Sequence, residues 1–314
     1  MKNYRNILVV IDPYSDEQKA LQRAIELANK LVASQKVLSE EIALTAFCSI
    51  YDFSYDMTTF LSTDEREIMR NAVIENQTKQ LQNILTKYES QFTIHCEVTW
   101  HNRPFEAILE QVNQQRCDLV IKETHHHPKF KSLIFTPTDW HLIRKSSCPV
   151  LLVKDHKWPE NGNVIAAVNV ANDEPEHCQL NDKITTLSQD FATLMQGDVH
   201  LVNSYPGTPV NISIEIPEFN VTEYNNAMKA HHVNAMSEHA NNHHIKLENT
   251  LVLEGLPEDV IKDVAESLDA ELVVLGTIGR TGLSGALIGN TAEQVVDLLQ
   301  CDILAVKPDG FDSE

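Results

Sequence analysis

The chain carries one pattern twice. "NRPFEAILEQVNQQRCDLVIKET" (102–124) lies on "GLPEDVIKDVAESLDAELVVLGT" (255–277) at an offset of 153 residues, without a gap. Pro104 falls on Pro257, Ile108 on Ile261, Asp118 on Glu271 and Thr124 on Thr277. The match runs on through Thr138 on Thr291 and Cys148 on Cys301, to "VLLVK" ending at Lys154 on "ILAVK" ending at Lys307. Earlier in each half, "ILVVID" (7–12) aligns with "VIAAVN" (164–169), an offset of 157 that places Asp12 on Asn169, and Tyr51 falls on Tyr205. Solenoid units are far shorter than this repeat, so it reads as two copies of a domain. A length of 314 residues suits two domains of ordinary size. The expected boundaries are 1–154 and 164–314. Residues 155–163, "DHKWPENGN", are expected to link them, since they hold Pro, Gly and turn formers.

Each copy alternates strands and helices. In the first, "NILVVI" is a continuous apolar run, as in a strand buried on both faces. "SDEQKALQRAIELANKLV" has helical spacing with Ser15 at the N-cap. Further strands are expected at "EIALTAFCSI", "TIHCEVTW", "DLVIK" and "PVLLVK". Further helices are expected over about 62–87, at "PFEAILEQVNQ" with Pro104 in its first turn, and at "TDWHLIRKS". The second copy repeats the order over 164–169, 176–195, 198–203, 222–243, 245–253, 257–269, 271–276, 290–300 and 302–307. This alternation predicts an α/β chain of two tandem doubly wound domains, each with a five-stranded parallel sheet.

Open parallel sheets bind ligands beyond the carboxyl ends of their strands, where the strand order reverses. The fourth strand of the second copy ends at Gly276 and runs into "TIGRTGLSGALIG" (277–289). Glycines let backbone N–H groups approach an anion, and a helix starting near Asn290 adds unpaired N–H groups and a positive dipole end. Arg280 is the one cation in this loop, and Glu293 suits a capping box with Asn290. Two readings stand at this point: a phosphate cradle, or a glycine-rich turn that caps a helix. G-x-x-x-x-G-K-[ST] is absent, and "DPYSDEQKA" after the first strand has no glycine, so neither a P-loop nor a dinucleotide fingerprint is present.

Gly276-x-x-Gly279, nine residues, then Gly289 resembles the ATP-binding signature of universal stress proteins, Gly-x-x-Gly, nine residues, then Gly and Ser or Thr. "LVVLGTIGRTGLSGALIGNTAEQVV", "CDILAVKP" and the five-strand repeat are similar to the same family over nearly the whole chain. The resemblance implies the Rossmann-like universal stress protein fold and a site between the first and fourth strands. There the backbone near Gly276, Thr277, Gly279, Arg280 and Gly282 would face phosphates and ribose. Gly289, Asn290 and Thr291 would cap the terminal phosphates, and Asn169 would lie near the adenosine. ATP, with magnesium, is the ligand it implies, and the role it implies is non-catalytic support of survival under stress, DNA damage included.

The sequence departs from the family pattern in each copy. Asn290 stands where the family has Ser or Thr, and Asn169 where it has Asp, which removes a charge that could support a metal. The first copy keeps Asp12, but Glu123, His126 and Thr136 replace the three signature glycines, and Pro137 removes a helix-start N–H. The first domain is therefore expected not to bind nucleotide.

Charge narrows the partners. Residues 1–157 hold 19 Lys and Arg against 20 Asp and Glu; the remainder holds 6 against 25, within a total of −20. The second half lacks the clustered cations that a nucleic-acid surface needs, and the first has no aromatic-interleaved basic stripe. Direct DNA or RNA contact is not expected. Apolar runs are strand-length and the first residues do not form a signal peptide, so no membrane insertion and a cytoplasmic location are expected. The six scattered cysteines read as packed thiols. No redox or tightly held metal cofactor is expected: His125–His127 read as a polar loop, and His239 and His243, at i and i+4, as a solvated helix face lacking a third ligand. The copies are expected to form a pseudo-dimer within one chain, with a further homodimer and protein partners left open. "YDFSYDMTTFLSTDE" and "SYPGTPVNISIEIPEFNV" are apolar for loops. They keep a carrier of an apolar or lipid-like ligand as the alternative, beside a pure interaction module.

Overall fold

Ten strands form where the repeat places them, five in each half. The computed structural model describes residues 4–15, 17–35, 37–56, 62–88, 92–124, 136–208, 220–277 and 290–308. The chain divides into two compact units, one mostly of residues 3–154 and one mostly of residues 155–312.

In the first unit the strands are β1 (Asn6–Val10), β2 (Ala43–Ile50), β3 (Ile94–Trp100), β4 (Leu119–Glu123) and β5 (Val150–Val153). All pair in parallel in the order β3-β2-β1-β4-β5. Its helices are α1 (Lys19–Ala33), the short α2 (Phe53–Asp56), α3 (Thr63–Leu85), α4 (Pro104–Gln115) and α5 (Pro137–Lys145). The second unit has β6 (Asn163–Ala167), β7 (Val199–Tyr205), β8 (Thr250–Glu254), β9 (Ala270–Gly276) and β10 (Asp302–Val306). These are again parallel, in the order β8-β7-β6-β9-β10. Its helices are α6 (Pro175–Met195), α7 (Val221–Asn242), α8 (Pro257–Ser267) and α9 (Asn290–Leu298). The expected α/β class and the pair of five-stranded parallel sheets hold.

Burial follows strand position. Strands β4, β9 and β10 bury nearly every residue and β1 its middle three, whereas edge strand β3 alternates half-buried and exposed positions over Ile94–Val98. The core of the second unit is filled from α6 by Leu180, Ile184, Leu187 and Phe191, one face at helical spacing.

The copies also match in backbone detail. Gln35 after α1 and Gln196 after α6 are left-handed at φ 58° and 54°. Arg116 before β4 and Asp269 before β9 are left-handed at 51° and 47°. Neither pair uses glycine for a conformation that favours it.

Three expectations shift. Helix α1 starts at Lys19, after Gln18 and not after Ser15, whose hydroxyl donates instead to the Glu17 carbonyl at 2.6 Å. Strand β8 begins at Thr250, five residues later than expected, because Leu247–Asn249 form a 3₁₀ turn. Residues 155–163 pack onto the second unit. Trp158 is buried edge-on against Phe191 at 5.7 Å, the Asn161 N–H donates to Met195 O at 2.9 Å, and His156 Nε2 lies 2.5 Å from a Glu271 carboxylate oxygen.

Candidate functional site

The switch point of the second sheet lies between β6 and β9. Ala167 pairs with Leu275, so the chain leaving β6 at Asn169 runs beside Gly276 and Thr277. Asn169 is held by its backbone: its N–H donates to Asn181 Oδ1 and its carbonyl accepts from Asn181 Nδ2, both at 3.0 Å. Among the described residues its own side-chain amide has no hydrogen-bond partner. The next N–H, of Val170, donates to Asn203 Oδ1 at 3.3 Å, and Asn203 Nδ2 donates to His232 Nδ1 at 2.8 Å.

Asn181, Asn203 and His232 were not singled out in the sequence. They are 12 to 63 residues from Asn169, and no local motif connects any of them to it. The first unit solves the same problem with one residue. Gln18 accepts from the Asp12 N–H at 3.2 Å and donates to the Asp12 carbonyl at 2.7 Å.

The expected phosphate side divides. Gly276 lies against α6: a Cβ there would lie 2.5 Å from Leu180 Cδ2 and 3.4 Å from Ile184 Cδ1, so any larger residue must displace the Leu180 side chain. Thr277 is buried, and both its donors turn to β10: the N–H reaches Val306 O at 3.0 Å and the hydroxyl at 3.4 Å. Thr124 does the same to Val153 O, at 3.0 and 3.2 Å. Thr277 therefore offers phosphate neither donor. Gly279, Arg280, Gly282 and Gly289 lie outside the described residues. Asn290 and Thr291 stand at the described start of α9, and the side chains of the expected Asn290–Glu293 capping box lie outside the described residues.

The matching helix start of the first unit is closed by its own carboxylate. Asp139 Oδ2 accepts from the Thr136 N–H at 2.7 Å and the Thr136 hydroxyl at 2.8 Å, while the Asp139 N–H donates to that hydroxyl at 3.3 Å. Asp139 Oδ1 sits 2.8 Å from Lys122 Nζ in a fully buried ion pair. Glu123, in the place of Gly276, lies 3.7 Å from Lys19. At the 153-residue offset, Lys122 and Asp139 become Leu275 and Ala292, so the second copy lacks this internal anion and its counterion.

The histidine pair was misread. His239 and His243 are not solvated: their side chains are 12% and 15% exposed, and Asp182 of α6 reaches both. Elsewhere, burial lowers the His232 pKa, with His231 adding to the effect, and burial lowers His200 against the opposing charge of Asp198. A folded pKa below 6.5 means the unfolded chain takes up protons first. These two rings therefore contribute stability above pH 6.5 that is lost as the pH falls toward their folded values. For His232, a proton on Nδ1 would also oppose the Asn203 donor. The urea midpoint of the native chain is expected to fall between pH 7 and pH 5.5, and His200→Asn with His232→Asn to flatten that slope. An equal slope in the variant would count against this assignment.

Burial pushes the Cys48 and Cys117 thiols up to about 12, so these two pack as apolar groups at neutral pH. Among the described residues no helix is long and apolar enough to cross a membrane.

Known proteins share this arrangement. Over 313 residues the chain is 48% identical to universal stress protein E of Escherichia coli K12, covering 99% of this chain and 96% of that one. It is 46% identical over 315 residues to universal stress protein E of Photorhabdus laumondii, covering 99% and 98%. A crystal structure of a functionally unknown protein from Pseudomonas aeruginosa PAO1 superposes with a TM-score of 0.70 at 29% identity, over 98% of this chain and 93% of that one. The universal stress protein family itself matches twice, at residues 3–154 and 180–307. With two doubly wound units, two family matches and near full-length likeness to curated members, the chain belongs to the universal stress protein family.

Proposed function

We propose that the chain is a non-catalytic, cytoplasmic stress-response protein whose second unit holds an adenine nucleotide across the carboxyl ends of β6 and β9. The contrast between equivalent helix starts carries this reading. In the first unit the anion position is filled by Asp139, neutralised by Lys122. In the second, Leu275 and Ala292 stand in the places of Lys122 and Asp139, beside an Asn169 whose backbone is held by Asn181. Asn169 recognises the nucleoside; Gly279, Arg280, Gly282, Gly289, Asn290 and Thr291 contact ribose and phosphates. Magnesium, where bound, is held mainly by the phosphates, because Asn169 supplies no carboxylate. The surrounding charge of −19 on residues 158–314 keeps affinity modest. Two copies in one chain take the place of two subunits, and the support of survival under stress, DNA damage included, rests on the family likeness.

The test is to denature freshly purified protein and identify released small molecules by mass spectrometry. Near-stoichiometric adenine nucleotide, reduced at least tenfold in Gly279→Glu, is expected. Release of lipid-like material would favour an apolar-ligand carrier. Release of neither, with no thermal shift on adding ATP and magnesium, would leave an interaction module.

A further inference from the structure

We infer that Asp182, His239 and His243 form a binding site for a divalent first-row transition metal ion, zinc being the reference case. His239 lies in the last turn of α7 and His243 caps its carboxyl end, and Asp182 comes from α6, 57 residues before His239. One ligand atom from each residue falls within 4.8 Å of the other two. Asp182 Oδ1 is 2.8 Å from His243 Nε2 and 3.9 Å from His239 Nδ1. Around a tetrahedral ion with bonds of about 2.0–2.1 Å, ligand atoms stand roughly 3.3 Å apart, between those two separations. The third separation, between the two imidazole nitrogens, is at most 4.8 Å, so side-chain adjustments of about an ångström close the triangle, and water completes the fourth position.

The surroundings set the ligand orientation. His239 Nε2 lies 2.8 Å from the buried Thr185 hydroxyl. With that nitrogen donating, the neutral ring turns its Nδ1 lone pair toward Asp182, the outer-shell device by which proteins orient ligating imidazoles. Gln189 Nε2 donates to the His243 carbonyl at 2.8 Å and fixes the last turn of α7 against α6. The rings stand 4.6 Å apart between centroids.

Donor type selects the ion. Two imidazoles and one carboxylate suit zinc, nickel or cobalt, whereas magnesium and calcium take oxygen ligands. The acidic half of the chain raises the local concentration of any cation. The inference is independent of the nucleotide reading, since none of these residues is placed in that site.

The full chain, stripped with a chelator, is titrated with cobalt(II) and followed by its visible absorption; zinc is then added in competition. One equivalent of cobalt with tetrahedral-type absorption, displaced by zinc, is expected. Asp182→Asn, an exposed position, and His243→Gln should each weaken binding at least tenfold with unchanged circular dichroism. Thr185→Val, which keeps the packing but removes the hydroxyl, should weaken it about 10–100-fold. A chain carrying His125→Gln, His126→Gln and His127→Gln should bind as the native chain does. No cobalt absorption in the native chain, or affinity unchanged in Asp182→Asn and His243→Gln, would overturn the inference. So would loss of binding in the triple variant.

Discussion

Replacing Asp139 with alanine is expected to destabilise the first unit by about 3–5 kcal/mol, the cost of leaving one partner of a buried ion pair behind. Lys122 and Asp139 are 7% and 0% exposed, and their charged atoms lie 2.8 Å apart. Without the carboxylate, the Lys122 ammonium keeps, among the described residues, the Glu123 carbonyl at 3.0 Å, and Thr136 loses the acceptor for its N–H and hydroxyl. Replacing both partners by apolar residues, as in Lys122→Met with Asp139→Leu, is expected to recover most of the loss, because no charge then remains to desolvate. Urea unfolding combined with hydrogen exchange checks both changes. Peptides spanning β4 and β5 should lose protection in Asp139→Ala while those spanning β9 and β10 keep it. An unchanged midpoint for Asp139→Ala would show that the pair contributes nothing.

Phe191→Ala is the second large effect, at about 3–5 kcal/mol in the second unit. Phe191 is fully buried in α6, and Trp158 stands perpendicular to it, with an interplanar angle of 87°. Removing the ring leaves a cavity at the core and uncovers the indole. Trp158 emission is expected to shift to the red, and proteases are expected to cut within 155–163 faster than in the native chain. Phe191→Leu should cost much less, since it keeps most of the volume. A native-like midpoint and emission in Phe191→Ala would mean that the segment is held by its polar contacts to Met195 and Glu271 alone.

Strand positions were legible because the repeat aligns two independent copies of each buried apolar run; β9 and β10 each lie within a residue of the expected span. Gln18 was missed as the start of α1 because Ser15 has the stronger capping propensity. The Tyr88 hydroxyl, 70 residues away, accepts the Gln18 N–H at 2.7 Å and overrides it. Gly276 looked like a phosphate glycine because its motif spacing is that of a ligand loop. The close approach of Leu180 and Ile184 of α6 at the strand end favours glycine there in any case. Asp182 was invisible as a ligand since nothing local connects it to His239; only the packing of α6 beside α7 does. The roles of Asn181 and Asn203 are set by tertiary placement in the same way.

The pairing of β1 with β4 has a consequence for synthesis. β1 meets β2 soon, Asn6 pairing with Ala43, but its other edge waits for β4, since Ile7 pairs with Leu119. At translation rates of ~5–20 residues per second, those 112 residues take roughly 6–22 s to follow. For that interval an apolar central strand of the unit presents an open row of backbone donors and acceptors. The nascent chain, more than the finished protein, is then the form exposed to edge-to-edge aggregation.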